Sequence, residues 1–292
     1  MKDTRSLARG IAAIVMSAFG FALMAMCVRL ADDFGAAVSS FEKSFFRNLI
    51  ALAIAAAVYC RRRSRAGAAP APRRLPPALW LRALLGTVGI FANFYALGHV
   101  TIAEAQTLNK TAPFFTVVFA WLFLRERVRP RRLLAVAIAF VGVVLVAKPG
   151  FAGESGFALA MGLLGGVAAG GAYACLRGLA EEDVDPSFIV LFFSAFSCLA
   201  SVPFILVCFD PLVPAQVLIL LAAGAAAALG QFGITWAYRF ASPRDIAVYD
   251  YTNILFTAAL GYLVFGQVPD AVAVVGMAVI VFAALATHFD RN

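Results

Sequence analysis

Charged residues are scarce in this chain. They account for 14% of its 292 residues, whereas hydrophobic residues account for 63%. Soluble globular domains carry about 25% charged residues, because their surfaces face water. The low charge and the mean hydropathy of +0.89 therefore exclude an ordinary soluble domain and predict a polytopic membrane protein in a lipid bilayer.

The motifs of common enzyme classes are also absent. The only histidines are His99 and His288, and the sequence has no HExxH, GxSxG or GxxxxGK[ST] pattern. Zinc-dependent, triad-dependent and ATP-dependent hydrolysis use those motifs. The five cysteines form no CxxC pair and lie in or beside apolar segments, which favours core packing. We therefore expect no enzyme activity, no cofactor and no metal site.

Basic residues outnumber acidic ones and give a net charge of +8. They occur in short clusters between apolar runs, which indicates membrane orientation and contact with lipid headgroups rather than nucleic-acid binding. With the N-terminus inside, Arg61–Arg63 and Arg125–Arg132 fall on the cytoplasmic side, and the outer segments hold only Arg29 and Lys148. We expect a cytoplasmic (inner) membrane protein with both termini in the cytoplasm.

With about 20 apolar residues per crossing, the chain contains about ten predicted membrane spans, so the predicted fold is all-α. The predicted spans are 11–31, 39–60, 79–98, 103–124, 131–148, 157–179, 187–209, 214–236, 244–265 and 270–289. No small-residue cleavage site closes the first apolar run. We therefore expect it to be a membrane helix rather than a signal peptide.

The two halves of the chain resemble each other. A shift of 141 positions places Tyr95 on Trp236, Glu104 on Asp245, and Asn109 on Asp250. We predict two five-helix repeats, residues 1–150 and 151–292. Because five is odd, the second repeat must enter the membrane in the opposite orientation. Inverted repeats of this kind place a substrate site between the halves near the bilayer midplane.

The fourth predicted span carries a lysine in an apolar stretch, which marks a functional site by default. Pro113 has no N–H to bond the carbonyl of Asn109, so the helix should kink beside Lys110. Lys110 either binds an electron-rich group on the cargo or forms an internal ion pair. The candidate partners for an internal pair are Glu42, Glu104 and Asp250.

Asp250 is the second candidate, with Tyr249 before it and Asn253 one turn later. Its carboxylate could carry a coupling proton or bind a cationic cargo group. Glu104 is a second candidate for ion coupling. Glu104 and Asp245 are predicted near opposite membrane faces, as gate residues or as favourable charges in first helical turns.

Other polar and aromatic residues extend the predicted cargo site. Arg47 shares a helix face with Lys43, so an anion should lie between them, either Glu104 or cargo. Side chains on the third and eighth spans suit a planar or amphipathic solute, although core or interfacial positions explain them equally well. These side chains are Asn93, Tyr95, Gln231 and Trp236.

Two further patterns concern packing and motion. Gly162, Gly166 and Gly170 form a stripe of small residues, which predicts close helix packing. The turns at Gly98–Thr101 and Phe240–Pro243 join predicted cavity helices within each repeat. We predict that these turns move as the outer and inner gates.

The whole chain resembles the drug/metabolite transporter superfamily of the EamA type. The matching residues are Phe45, Phe46, Arg47, Arg82, Gly86, Tyr95, Ala96, Leu97, Ala103, Glu104, Ala105, Pro113 and Arg125–Arg127, with Ala237, Asp245 and Gly261 in the second half. The second half ends in Gly266-Gln267-Val268 and lacks the usual closing Glu. The resemblance implies a ten-helix alternating-access carrier whose cavity is lined mainly by the third, fourth, eighth and ninth helices.

The sequence therefore predicts a secondary carrier of small polar or amphipathic organic metabolites, driven by proton coupling or by solute exchange. A lipid flippase, a channel and an integral-membrane enzyme are the alternatives. Amino acids, S-adenosylmethionine-like cations, flavins and aromatic drugs all suit the predicted cavity. The direction of transport and the oligomeric state, with a homodimer among the alternatives, stay open.

Overall fold

The structure is a computed structural model that describes residues 2–64, 75–124, 155–207, 211–241 and 246–289, together with positions 134, 137–138, 140–142 and 144–145. In these residues the regular secondary structure is helical. Most of the fifth predicted span, 131–148, lies outside the described residues.

The described residues include ten α-helices and two short 3₁₀ helices. In chain order they are α1 Lys2–Leu30, α2 Ser40–Arg63, α3 Pro77–His99, α4 Ile102–Asn109, α5 Ala112–Leu124, α6 Ser155–Glu181, α7 Pro186–Val207, α8 Pro214–Phe240, α9 Thr252–Phe265 and α10 Ala271–Phe289. Short 3₁₀ helices, Ala31–Phe34 and Ala247–Tyr251, follow α1 and precede α9. Ser39 and Thr101 cap α2 and α4 through reciprocal bonds with the glutamates three residues later.

Six helical segments of the described chain are long and apolar enough to cross a membrane. They are Ser6–Phe34, Ser40–Arg63, Pro77–His99, Gly156–Leu176, Pro186–Val207 and Pro214–Ala237. Even 21 helical residues extend about 32 Å, close to the thickness of the hydrocarbon core. The predicted all-α membrane fold is therefore confirmed. The predicted fourth and ninth spans are not among the six, because each of them is interrupted.

The helices of the two halves pack against one another in an exchanged pattern. Helix α1 packs against α8, and α3 packs against α6. In the predicted repeats, α1 corresponds to α6 and α3 corresponds to α8. The contact of α1 with α8 is therefore equivalent to the contact of α6 with α3. Helix α2 packs against its own counterpart α7, and α5 meets α6 as α9 meets α1. An exchange of this kind is expected of any two repeats related by a two-fold axis, and the inverted orientation stays a prediction.

The bundle has two ends with different chemistry. We call one the basic end, where α2 finishes at Arg61–Arg63, and the other the turn end, where α3 meets α4. Hydrogen bonds from side chains hold segments together at the turn end. They join Arg29 to the carbonyl of Gly98 (2.7 Å), Gln216 to the carbonyl of Ala36 (2.9 Å), and the amide of Ile102 to Oε1 of Gln267 (3.2 Å).

Candidate functional site

The fourth predicted span consists of two helices with a break between them. Helix α4 ends at Asn109 and α5 begins at Ala112. The N–H of Lys110 donates to the carbonyl of Gln106 at 2.9 Å and closes α4. Pro113 lies in the first turn of α5, where a missing N–H is tolerated. The predicted kink is thus a full interruption, and Lys110 lies outside both helices.

Helix α6 packs against this break through its glycine stripe. A Cβ atom at Gly166 would lie 2.5 Å from the carbonyl oxygen of Leu108 and would collide with Oγ1 of Thr111. At Gly162 it would lie 3.1 Å from the side chain of Leu108. The predicted packing role of Gly162, Gly166 and Gly170 is confirmed, since the stripe lets the backbone of α6 approach the break closely.

A second break lies beside the first one. Asp250 belongs to the 3₁₀ helix Ala247–Tyr251 that precedes α9. Nζ of Lys110 donates to both carboxylate oxygens of Asp250 at 2.8 Å each, and the two side chains are 5% and 4% exposed. Asp250 is therefore the internal partner of Lys110 among the three candidates. Because Asn109 and Asp250 correspond in the predicted repeats, the ion pair joins equivalent breaks.

A cavity adjoins Lys110 in the middle of the bundle. It holds about 610 Å³ of space between the atoms, including the part that is open to solvent. Its polar lining consists of Arg47, Arg82, Asn93, Gln106, Asn109, Lys110, Tyr173 and Gln231. The structure thus brings five of the predicted cargo-site residues together. They are Arg47, Asn93, Asn109, Lys110 and Gln231.

The predicted residues around Asp250 are not part of this lining. Asp250 contacts Lys110, which is part of it. Nδ2 of Asn253 donates to the carbonyl of Ala18 at 2.7 Å. Tyr249 packs against the apolar cluster that contains Ile14. Asp250, Asn253 and Tyr249 therefore connect the second break to α1 and to Lys110.

Tyr95 and Trp236, the aromatic residues predicted for the cargo site on the third and eighth spans, lie outside the cavity lining. The ring of Tyr95 stacks on that of His99, with centroids 4.2 Å apart. Trp236 lies beside Phe232, with centroids 5.8 Å apart, in an apolar cluster shared with α2 and α7. Neither ring lines the cavity.

The walls of the cavity differ from those implied by the resemblance. Helices α3 and α4 line it as expected, and α8 contributes Gln231, but α1, α2, α6 and α7 also contribute residues. Among the described residues, the ninth span contributes none. Asp250, the predicted site residue of this span, is buried and paired with Lys110, which lines the cavity in its place.

The charges near Arg47 also pair differently from the prediction. Nζ of Lys43 lies 2.6 Å from a carboxylate oxygen of Asp32. Oε2 of Glu104 accepts hydrogen bonds from the amide and the hydroxyl of Thr101, at 3.2 and 2.9 Å. Lys43 and Arg47 therefore share no bond to Glu104, which caps α4 at the turn end. Asp245 lies outside the described residues.

Most residues of the lining were not predicted as site residues, and four of these bear on the chemistry of the site. They are Arg82, Gln106, Tyr173 and Phe193. The sequence does mark Arg82 as unusual, because it is a charged residue inside the apolar stretch 79–98. A charge within a membrane span indicates a functional site, and this rule, which singled out Lys110, applies to Arg82 as well. Gln106 lies one turn before Lys110, and its carbonyl accepts the hydrogen bond from the N–H of Lys110. Tyr173 and Phe193 have no signal that separates them from the other aromatic residues.

Comparisons with known proteins agree with this architecture. The EamA-like transporter family matches residues 8–148 and 156–288. The pseudopaline exporter CntI of Pseudomonas aeruginosa is 32% identical over 284 residues, which is 96% of each chain. A riboflavin transporter of Vibrio cholerae is 28% identical over 212 residues, or 70% of this chain and 68% of its own. A solved crystal structure covers 97% of this chain and 99% of its own with a TM-score of 0.67 and 20% identity, so it shares the fold.

Proposed function

Because this chain belongs to the EamA-like transporter family, we propose that it is a secondary carrier that moves small organic metabolites by alternating access. The observation that supports this most directly is the Lys110–Asp250 contact, which joins two interrupted helices beside a polar cavity. Interrupted helices and inverted repeats are the parts from which secondary carriers build a midplane site. No covalent chemistry is needed for this function.

In this mechanism the two repeats, residues 1–150 and 151–292, rock against each other around the paired breaks. A buried ion pair contributes little net stability, because the cost of desolvation offsets the attraction. Exchange of the Lys110–Asp250 contact for a contact with cargo would leave Asp250 as a buried, unpaired charge, so it requires that Asp250 be neutralised at the same step. An electron-rich group on the cargo then competes with Asp250 for the ammonium of Lys110.

We place the coupling step at Asp250. Protonation removes the charge of its carboxylate and frees Lys110 to bind cargo, so proton movement and cargo movement become linked. Solute exchange is the alternative, in which a second cargo molecule replaces the first at Lys110. Glu104, the other predicted coupling residue, lies in a helix cap at the turn end, so we propose that it plays the lesser part.

We propose that the basic end faces the cytoplasm of a bacterial-type inner membrane. The start of α1 and the end of α2 lie at this end, and they carry Lys2 and Arg61–Arg63. Both termini are then cytoplasmic. A fluorescent reporter fused after Asn292 should be bright and a phosphatase fused there inactive; the opposite pattern contradicts this orientation.

Counterflow in proteoliposomes tests the carrier function. Pseudopaline and riboflavin, named for two relatives, are the first probes, after a thermal-shift screen of metabolites in which binding raises the apparent stability. Vesicles loaded with the unlabelled compound that binds should transiently concentrate its labelled form from outside. Equilibration without this overshoot identifies a channel, and movement of labelled lipid instead identifies a flippase.

A further inference from the structure

Two arginines line the cavity at positions where a charge is costly. Arg47 on α2 is 4% exposed, and Arg82 on α3 is 3% exposed. Both guanidinium groups lie beside the ring of Phe193, and like charges brought together in this way repel each other. Removal of a charge from water costs several kcal/mol unless a partner compensates it. Each of these two buried guanidinium groups therefore needs a compensating partner.

Carboxylates of the described residues do not compensate them. The acidic groups found in ion pairs are Asp32, Asp185 and Asp250, and their partners are Lys43, Arg62 and Lys110. Arg47 donates from Nη1 to Oδ1 of Asn48 at 2.9 Å and from Nε towards the sulfur of Met24 at 3.3 Å. Nε of Arg82 is buried and has no hydrogen-bond partner. The site therefore carries excess positive charge.

An aromatic ring holds both guanidinium groups. Cζ of Arg82 lies 4.3 Å from the centroid of the Phe193 ring, and Cζ of Arg47 lies 5.8 Å from the same centroid. A Cβ atom at Gly86 would collide with the guanidinium of Arg82 and with this ring, so the absence of a side chain there makes room for the stack. Contact with the ring orients the guanidinium groups and leaves their N–H groups for another acceptor.

The ring does not supply the missing negative charge. A cation–π contact contributes about 0.5–2 kcal/mol, which is less than the several kcal/mol lost by each buried charge. A carboxylate supplies that charge and also accepts two parallel N–H bonds from a guanidinium. The same cavity has a buried acceptor and a buried donor without partners, Oδ1 of Asn93 and Nε2 of Gln106.

We propose that Arg47, Phe193 and Arg82 form an anion-binding subsite, and that the cargo is a small organic carboxylate. The carboxylate binds the two guanidinium groups. A hydroxyl or amino group elsewhere on the cargo donates to Asn93, and a carbonyl accepts from Gln106. This inference rests on the proposed carrier function, since it names the substrate class of the same cavity.

Binding by purified protein tests the subsite. Thermal shift and calorimetry are run at millimolar concentration with mono- and dicarboxylates, with the amide or methyl ester of each, and with inorganic phosphate. We expect at least one carboxylate to raise the melting temperature while its neutral amide and ester do not. Equal binding of the neutral forms, no shift with any carboxylate, or equal stabilisation by phosphate overturns the proposal.

Variants of the two arginines make the test specific. Arg47→Gln and Arg82→Gln should each weaken carboxylate binding about tenfold or more, because a charge-assisted contact is lost. Arg62→Gln, at an arginine that is exposed at the basic end, is the control and should bind as the wild type does. Unchanged binding in both cavity variants contradicts the assignment.

The stability of the unliganded protein separates a binding role from a structural one. Arg82→Met should melt no lower than the wild type, because it removes a buried charge that has no partner. A marked fall in melting temperature would assign Arg82 to the scaffold.

Counterflow distinguishes the anion-binding subsite from the carrier function. If neutral solutes show counterflow that is unchanged in both arginine variants, the carrier function stands and the subsite is contradicted. If carboxylates bind but no solute shows counterflow, the subsite stands and the carrier function is contradicted.

Discussion

At the scale of single residues, Lys110 and Asp250 depend on each other. Each is almost fully buried, and Lys110 donates to both oxygens of Asp250. Removal of one partner leaves the other as an uncompensated charge in a low-dielectric region, whereas removal of both leaves none. The pair is therefore tested best by single and double substitutions together.

Lys110→Gln and Asp250→Asn should each destabilise the protein by about 3–5 kcal/mol. The double variant Lys110→Met with Asp250→Leu should be about as stable as the wild type, because neither charge is left alone. Thermal unfolding of the detergent-solubilised proteins measures this difference. Additive losses in the double variant would show that the two residues do not act as a pair.

Asp250 and Glu104 should differ in their effect on gradient-driven transport. Asp250→Asn should abolish accumulation driven by a pH gradient and spare cargo exchange, because the proton site is lost while Lys110 is kept. Glu104→Gln should lower stability by about 1 kcal/mol through the helix cap and leave accumulation intact. Uptake into proteoliposomes with and without a pH gradient distinguishes them. Loss of accumulation in Glu104→Gln alone would transfer the coupling role to Glu104.

Sequence reasoning found the special residues more easily than their partners. Lys110 and Asp250 could be predicted because a charge in an apolar stretch is conspicuous. Their pairing could not, since three carboxylates were available and the order of the chain does not fix which of them meets Lys110. Arg82 was identified only as part of a family pattern, although the rule applied to Lys110 covers it.

At the scale of elements, the functional unit is a break held by a glycine-bearing helix. Helix α6 approaches the break closely because Gly166 has no side chain, and Pro113 lies in the first turn of α5 after the break. The two features act together. Proline prevents one continuous helix, and glycine lets α6 support the interruption.

Gly166→Ala should destabilise the protein by about 1–3 kcal/mol through overpacking against Leu108 and Thr111 and should impair transport. Gly178→Ala on the same helix is the matched control, because a Cβ atom there meets nothing within 4 Å. It should stabilise the helix by about 0.5–1 kcal/mol. Melting temperatures and counterflow rates of the two variants check this. A neutral Gly166→Ala would mean that the break tolerates displacement of α6.

The orientation of helix faces was the hardest feature to predict. Tyr95 and Trp236 lie on helices that do line the cavity, yet their rings point elsewhere. In a soluble helix, polar residues mark the outer face. In this chain both lipid and core are apolar, so the periodicity of hydrophobic residues does not separate the two faces.

At the scale of the whole molecule, hydrogen bonds link segments of the two halves at the turn end. Gln216 and Gln267 of the second half bond to Ala36 and Ile102 of the first half, and Arg29 holds the carbonyl of Gly98. None of these residues lines the cavity. We propose that these bonds block access to the cavity from the turn end.

Arg29→Leu should open the turn end more often. Loss of a charged hydrogen bond of about 1.5–3 kcal/mol shifts a two-state equilibrium by about tenfold or more. The measurement uses a variant that keeps Cys27, two residues from Arg29, as its only cysteine. An impermeant thiol reagent added at the turn end should label Cys27 faster in Arg29→Leu than in the Arg62→Gln control. Equal rates would show that Arg29 does not hold this end closed.

The exchanged packing of α1 with α8 and α3 with α6 has a consequence for biosynthesis. Asp250 is 140 residues behind Lys110, a distance that a ribosome covers in about 7–28 s. Until then the nascent first half must keep its lysine and arginines near the membrane surface, with no acidic partner and no Phe193 ring. A gene fragment encoding residues 1–150 alone should therefore yield a product that is degraded, and co-expression of the other fragment should rescue it.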